Sequence, residues 1–298
     1  MILSQIPHHF TSIAVFHWDP DPDLFIIPGL NWPIKWYGLL FALGFAVGFT
    51  IFQAIVYRYL LQVSDCENQR LKEMALKMTD RITLYAVVGT VIGARLGHFI
   101  FYENPSLYIT HPLEILRVWN GGLASHGAAI GIIAAIVLFS RYSKTIEPGL
   151  TWIRLLDFIC VPTALAGALI RWGNFINQEI LGTKSALPWA VVFGHPADHS
   201  FPAPRHPVQL YESFFYLIVF LILWHLSYRR KYLLRQGWLI GLFLILVFGY
   251  RFFIEYFKIE QSHLVSAAHQ LTMGQWLSIP LVIMGALLMF FSKRSAKS

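Results

Sequence analysis

A chain of 298 residues that is 56% hydrophobic and only 13% charged is not an ordinary soluble domain, where about a quarter of residues carry charge. Its net charge of +7 is therefore read from placement along the chain rather than as a nucleic-acid footprint. Two cysteines, Cys66 in a charged loop and Cys160 in an apolar segment, support no disulfide framework, and a buried apolar cysteine is more often packing than nucleophile.

In chain order, residues 1 to 35 show no basic stretch followed by an apolar one, so no cleavable signal peptide is expected. Asp19-Pro-Asp-Pro-Asp23 reads as a loop, and Phe25 to Trp32, with Pro28 and Gly29, as an interfacial stretch. Roughly 20 helical residues cross a ~30 Å hydrocarbon core, and seven segments are apolar enough to do so. They fall near 36–57, 82–102, 122–140, 152–173, 209–228, 237–257 and 276–292. The expected fold is all-α: a polytopic membrane helix bundle forming one integral domain over 1–298, with extracytoplasmic segments at 1–35 and 174–208. Gly44-x-x-x-Gly48, Gly89-x-x-x-Gly93-x-x-x-Gly97 and Gly127-x-x-x-Gly131 have the spacing that lets helices approach closely.

Orientation follows from lysine and arginine. Fifteen lie in one set of loops, such as Arg70, Lys72, Arg141, Arg154, Arg229 and Lys293. Five lie in the other: Lys35, Arg117, Lys184, Arg205 and Lys258. This bias puts the N-terminus outside and the C-terminus in the cytoplasm. Three basic residues, Arg95, Arg171 and Arg251, remain inside spans.

Charge within a span is costly and usually faces a protein interior or wet cavity with a function. Arg171 closes the apolar run Trp152 to Ile170, and a continuing helix would put Asn174 and Asn177 or Gln178 on its face. A guanidinium fork beside amides suits a phosphate; the alternative is a helix-locking pair with a carboxylate. With the orientation above, Arg95, His98, Arg171, Asn174, Arg251, Glu255, Tyr37, His126, Tyr211, Glu212 and Gln275 all fall in the outward half. That pattern reads as a site at outer-leaflet headgroup depth, with Arg95, Arg171 and Arg251 available to an anionic ligand. Arg251 and Glu255, four residues apart, suit either an ion pair or ligand contact. Tyr37 beside Trp36 suits an interfacial belt, and His98 a helix–helix hydrogen bond. His126 follows Asn120-Gly-Gly-Leu-Ala-Ser, where glycines admit another molecule, and an imidazole of pKa ~6.5 accepts a proton near neutrality. A general base is favoured there over a structural role. No His-Glu-x-x-His, P-loop or Gly-x-Ser-x-Gly occurs, and His195-Pro-Ala-Asp-His199 reads as a solvated loop, so neither metal nor cofactor is indicated.

Arg171-Trp-Gly-Asn-Phe-Ile-Asn-Gln-Glu179 resembles the signature of bacterial phosphatidylglycerol–prolipoprotein diacylglyceryl transferases. Trp36-Tyr37-Gly38, Gly93-Ala-Arg95-Leu-Gly97, Gly121-Gly-Leu-Ala-Ser-His126-Gly127 and Arg205-His-Pro-Val-Gln-Leu-Tyr-Glu212 extend the resemblance, as do Tyr250-Arg251-Phe-Phe-Ile-Glu255 and Met273-Gly-Gln-Trp-Leu-Ser-Ile-Pro280. The blocks run in family order from residue 36 to residue 280. The resemblance implies a seven-span enzyme of the bacterial inner membrane, working at the extracytoplasmic leaflet without a cofactor. Its partners would be phosphatidylglycerol, a prolipoprotein signal peptide with its lipobox cysteine, and surrounding membrane lipids. The family's lipid-binding arginine falls on Arg171, and its other sensitive positions on Tyr37, His126, Asn174, Glu179, Gly182, Arg251 and Glu255. The expected catalytic set is His126, Arg251 and Tyr37. The expected substrate-binding set is Arg171, Asn174, Glu179, Gly182, Glu255 and Arg95, with Glu179 and Glu255 holding the arginines. Lys35, His98, Asn120 and Lys258 depart from the usual family residues. A transporter or flippase for an anionic lipid or metabolite would use the same arginines without a covalent product.

Overall fold

The computed structural model describes residues 16–29, 31–102, 124–259 and 271–292. Short strands β1 (Phe16–Trp18), β2 (Asp23–Ile27) and β3 (Trp32–Lys35) precede α1 (Trp36–Val63), α2 (Asn68–Tyr102), α3 (Ser125–Ser143) and α4 (Trp152–Ile176). β4 (Val191–Phe193) and β5 (Pro204–Arg205) follow, then α5 (Val208–Ser227), the single turn α6 (Arg230–Leu233), α7 (Trp238–Ile254), a 3-10 turn (Glu255–Phe257) and α8 (Met273–Phe290). Six helices are long and apolar enough to cross a membrane, and a shorter apolar helix, Gly127–Ser143, occupies the third expected span. The protein is thus a multi-pass, mainly helical membrane protein. Residues 103–123, where the sequence puts Arg117, Asn120 and the start of the third span, lie outside the described residues.

The helix that contains the second expected span, 82–102, begins earlier, at Asn68. Leu71, Ala75, Met78 and Ile82 are buried at intervals of three or four residues, so the charged stretch is the polar face of an amphipathic helix rather than a loop.

The chain forms two compact units. The first comprises Met1–Phe45, Ala164–Val219 and Leu244–Ile283. In it the stretch expected as an extracytoplasmic connection is folded: β1 pairs in parallel with β4, β4 pairs antiparallel with β5, and β2–β3 is a hairpin. Phe175, Leu181, Val191 and Phe193 form its apolar core, with Trp18, Leu210 and Ile259 packed against it. Trp18 stacks on Phe175 at 4.6 Å and donates its indole N–H to the Phe175 carbonyl at 2.9 Å. Gln178 and His195 both donate to Asp19 Oδ1, at 3.0 and 2.6 Å. The His195 hydrogen bond, joined by that of Gln178, holds the Asp19 carboxyl below its usual range. His195 itself is mostly exposed, as a solvated loop requires. α8 begins with a reciprocal cap: Thr272 Oγ1 accepts from Gln275 N–H at 3.3 Å, while Gln275 Oε1 accepts from Thr272 N–H at 3.0 Å.

The second unit comprises Ala46–Thr163, Phe220–Phe243 and Met284–Ser298. Here the glycine spacing has a direct counterpart. A Cβ on Gly97 would lie 2.6 Å from Gly127 Cα, and one on Gly93 would lie 2.8 Å from Gly131 Cα, so α2 and α3 pack backbone to backbone. Arg154, expected in a cytoplasmic loop, is instead buried on α4. It donates to the carbonyls of Leu233 and Leu234 at 2.8 and 3.0 Å, while Asp157 accepts the N–H groups of Gly237 and Ile240 at 2.7 and 3.0 Å. One pair on α4 thereby satisfies both the end of α6 and the start of α7, orphan groups that a helix terminus leaves in an apolar setting.

A methyl group at the α2–α3 crossing has no room. Gly93→Ala should lower the stability of the purified protein by about 1–3 kcal/mol, the usual cost of overpacking. Gly249→Ala, where nothing lies within 4 Å of the added carbon, should match or exceed the parent. Thermal unfolding in detergent, followed by tryptophan fluorescence, checks both.

Candidate active site

The site in the first unit is built on the end of α4. Gln178 adopts φ 54°, its N–H bonds the Phe175 carbonyl at 3.2 Å, and Glu179 N–H bonds the Asn174 carbonyl at 2.9 Å. This pair of bonds is a Schellman turn with a glutamine in the left-handed position. It ends the helix at Ile176, so the expected continuation of one polar face through Asn177 or Gln178 does not occur. Gln178 turns away to Asp19, and Glu179 folds back. Glu179 accepts from Asn174 Nδ2 at 3.0 Å and from Asn177 Nδ2 at 2.9 Å, and its carbonyl accepts from Gln209 at 2.6 Å. Asn174 Oδ1 in turn accepts from Arg171 Nη1 at 3.2 Å. Glu179 therefore holds the arginine through Asn174, not directly as expected.

The direct partner of Arg171 is Glu212 of α5. Glu212 Oε2 lies 3.2 Å from Arg171 Nε, and its Oε1 accepts from Lys258 Nζ at 2.8 Å and the Tyr216 hydroxyl at 3.4 Å. The carboxylate is fully buried, and the Arg171 and Lys258 side chains are 15% and 7% exposed. A buried carboxylate needs compensating charge and hydrogen bonds, and two cations with a phenol supply them. The sequence had placed Glu212 in the outward polar group without assigning it to the site. The signal that singled out Arg171, a lone charge in an apolar helix, applies equally to Glu212.

Arg251 differs from its neighbours. Its Nε is buried and has no hydrogen-bond partner among the described residues. Arg251 and Arg171 both act electrostatically on the Tyr216 hydroxyl. The possible Arg251–Glu255 pair is not formed. Glu255 Oε2 lies 3.7 Å from Lys258 Nζ, and its carboxylate lies against Gly274, where an added Cβ would sit 2.5 Å from the carboxyl carbon. The 3-10 turn beginning at Glu255 breaks the regular α-helical i,i+4 relation.

Tyr37 lies over Gly173, where a Cβ would come within 2.7 Å of its ring. Gly182 pairs with Lys258 in an antiparallel bridge and leaves no room for a side chain, since a Cβ would lie 2.8 Å from that of His206. Arg205 donates to the Gly182 carbonyl at 3.2 Å. Seven of the nine expected site residues, Tyr37, Arg171, Asn174, Glu179, Gly182, Arg251 and Glu255, thus belong to this unit, with Glu212 and Lys258 added. Arg95 and His126 belong to the other unit. Arg95 is buried on α2; His126 lies in the first turn of α3, and its side chain is outside the described residues.

A paired guanidinium, a second whose Nε has no hydrogen-bond partner among the described residues, and amide donors can grip a tetrahedral anion. Known proteins point the same way. The family model described as prolipoprotein diacylglyceryl transferase matches residues 22–291. A phosphatidylglycerol–prolipoprotein diacylglyceryl transferase of Tolumonas auensis is 42% identical over 93% of this chain and 97% of its own length. Proteins of the same name from Chloroherpeton thalassium and Protochlamydia amoebophila are 40% and 33% identical. The first covers 96% of this chain and 97% of its own length, the second 93% and 95%.

Glu212→Gln should leave two cations without their shared charge. The expected loss is about 3–5 kcal/mol, the usual result of breaking a buried pair from one side, read as a lowered unfolding midpoint in detergent. An unchanged midpoint would show that Arg171 and Lys258 find other partners.

Proposed function

The chain belongs to the prolipoprotein diacylglyceryl transferase family, and we propose that it moves the diacylglyceryl group of phosphatidylglycerol onto the lipobox cysteine of prolipoproteins. The product is a thioether, and glycerol phosphate leaves: a C–S bond forms at the glyceryl carbon as its C–O bond to phosphate breaks. We place the reaction at the extracytoplasmic face of the bacterial inner membrane, in one integral membrane domain with its N-terminus outside and C-terminus in the cytoplasm. The supporting asymmetry is the sequence's fifteen basic residues toward one set of span ends, helical ones included, against five toward the other.

The observation that carries this reading is the contrast among the cations. Arg171 and Lys258 share Glu212, whereas Arg251 keeps a buried N–H unsatisfied among the described residues. An unsatisfied buried donor is costly, and a phosphodiester oxygen would satisfy it. In this reading Arg251 and the outer edge of Arg171 clamp the phosphate and stabilise the charge that grows on the departing oxygen. Asn174 and Tyr37 orient headgroup oxygens, Glu179 fixes Asn174, and Gly182 lets the chain beyond α4 close against Lys258. A free thiol of pKa ~8.5 is largely protonated at neutral pH, so the attacking sulfur needs a base or cationic surroundings. The candidate for that base is His126, in the first turn of α3, whose imidazole accepts a proton near neutrality.

Purified protein incubated with phosphatidylglycerol and a lipobox peptide should add one diacylglyceryl mass to the peptide, and Arg251→Ala should cut the rate by roughly 100-fold or more. Binding of the lipid with no covalent product would instead mark a transporter or flippase. For the base, His126→Gln should be slow at neutral pH and recover as pH rises past the thiol's own pKa, because thiolate then forms unaided. A rate that stays low at every pH would remove His126 from that role.

A further inference from the structure

Lys258 is placed by backbone as much as by charge. It forms the antiparallel bridge to Gly182, flanked by hydrogen bonds from Thr183 N–H to the Phe257 carbonyl (2.8 Å) and from Ile259 N–H to the Leu181 carbonyl (3.1 Å). This pins its ammonium 2.8 Å from Glu212 Oε1 and 3.7 Å from Glu255 Oε2, with the side chain 7% exposed. The other oxygen of Glu212 faces Arg171. While Lys258 is charged, two cations share Glu212, so the carboxylate does not neutralise Arg171 fully. When Lys258 is neutral, Arg171 and Glu212 become a balanced pair, and the guanidinium has little charge to offer a third group.

We propose that Lys258 is a positioning residue for lipid binding: by occupying one edge of Glu212, its ammonium keeps Arg171 turned and charged for the phosphate. The inference rests on the transferase reading of Arg171 as a phosphate ligand. The charged and titratable groups facing the ammonium are Glu212 of α5, Glu255 of the 3-10 turn and Arg171 of α4, with Tyr216 sharing the Glu212 oxygen. Burial lowers the Lys258 pKa from the usual lysine range, and Glu212 opposes that shift. A lysine here can lose its proton at alkaline pH, which an arginine cannot. Arg171 grips the phosphate in the bound lipid before any charge develops, so the loss shows first as a raised KM, with a smaller fall in kcat.

The test measures KM for phosphatidylglycerol and kcat from neutral to alkaline pH, using the full chain, phosphatidylglycerol in detergent micelles and a lipobox peptide. Wild type, Lys258→Arg and Lys258→Met are compared. In wild type KM should rise about tenfold toward alkaline pH, the scale of one charge-assisted hydrogen bond, without a matching fall in kcat. Lys258→Arg should hold KM level across the range, and Lys258→Met should show the raised KM already at neutral pH. A Lys258→Met enzyme with wild-type KM, or a Lys258→Arg enzyme that keeps the alkaline rise, overturns the proposal. If Lys258→Met does not fold, the Lys258→Arg profile decides alone. A wild type that transfers with a level KM overturns only this inference, whereas a wild type that gives no diacylglyceryl product overturns the function reading and this inference with it.

Discussion

A carboxylate with no access to water can remain charged only if the protein surrounds it with positive charge and donors, and Glu212 is such a group. Its two oxygens face Arg171 on one side and Lys258 with Tyr216 on the other. Because α4, α5 and the segment after α7 must all supply a partner, this single requirement fixes where three stretches of chain meet. Arg171 is then held at Nε by Glu212 and at Nη1 by Asn174, which leaves its remaining edge defined in direction. Preorganisation of this kind is what lets a guanidinium act on a developing charge without rearranging first.

The backbone around this charge centre serves the same end. The Schellman turn at Gln178 brings Glu179 back over Asn174 and Asn177, so the amide that steadies Arg171 is itself steadied. The turn also delivers Gln178 to Asp19 and leads Leu181, Gly182 and Thr183 into pairing with the segment that carries Lys258. Stacking of Trp18 on Phe175 ties the first strand to the last turn of α4. The folded segments between the helices thus bear directly on the end of the helix that carries Arg171, and are more than a tether between spans.

Much of this was legible in the sequence, for identifiable reasons. Arg171 and Arg251 stood out because charge inside an apolar helix is rare and expensive, whereas the glycine repeats of α2 and α3 were a weak signal, since such spacing recurs by chance in glycine-rich membrane helices. What stayed hidden depends on contacts distant along the chain or on unusual local geometry. Glu212 finds Lys258 46 residues away, and Lys258 is set there by a bridge to Gly182 that no local pattern announces. The turn after Ile176 uses glutamine in a conformation usually signalled by glycine, so the polar face seemed to run on. The extra turns at the start of α2 were obscured because their lysines and arginines counted as loop charge, although the buried leucine, alanine and methionine beneath them keep helical period.

We propose that one phosphate is held between the guanidiniums of Arg171 and Arg251. Rotational-echo solid-state NMR between the phosphorus of phosphatidylglycerol and isotope-labelled arginine nitrogens, with the protein in bilayers, measures that contact directly. Strong dephasing is expected from two guanidiniums, with one contribution lost in Arg171→Lys and the other in Arg251→Lys. Dephasing that survives unchanged in both variants, or none in the wild type at saturating lipid, would contradict it.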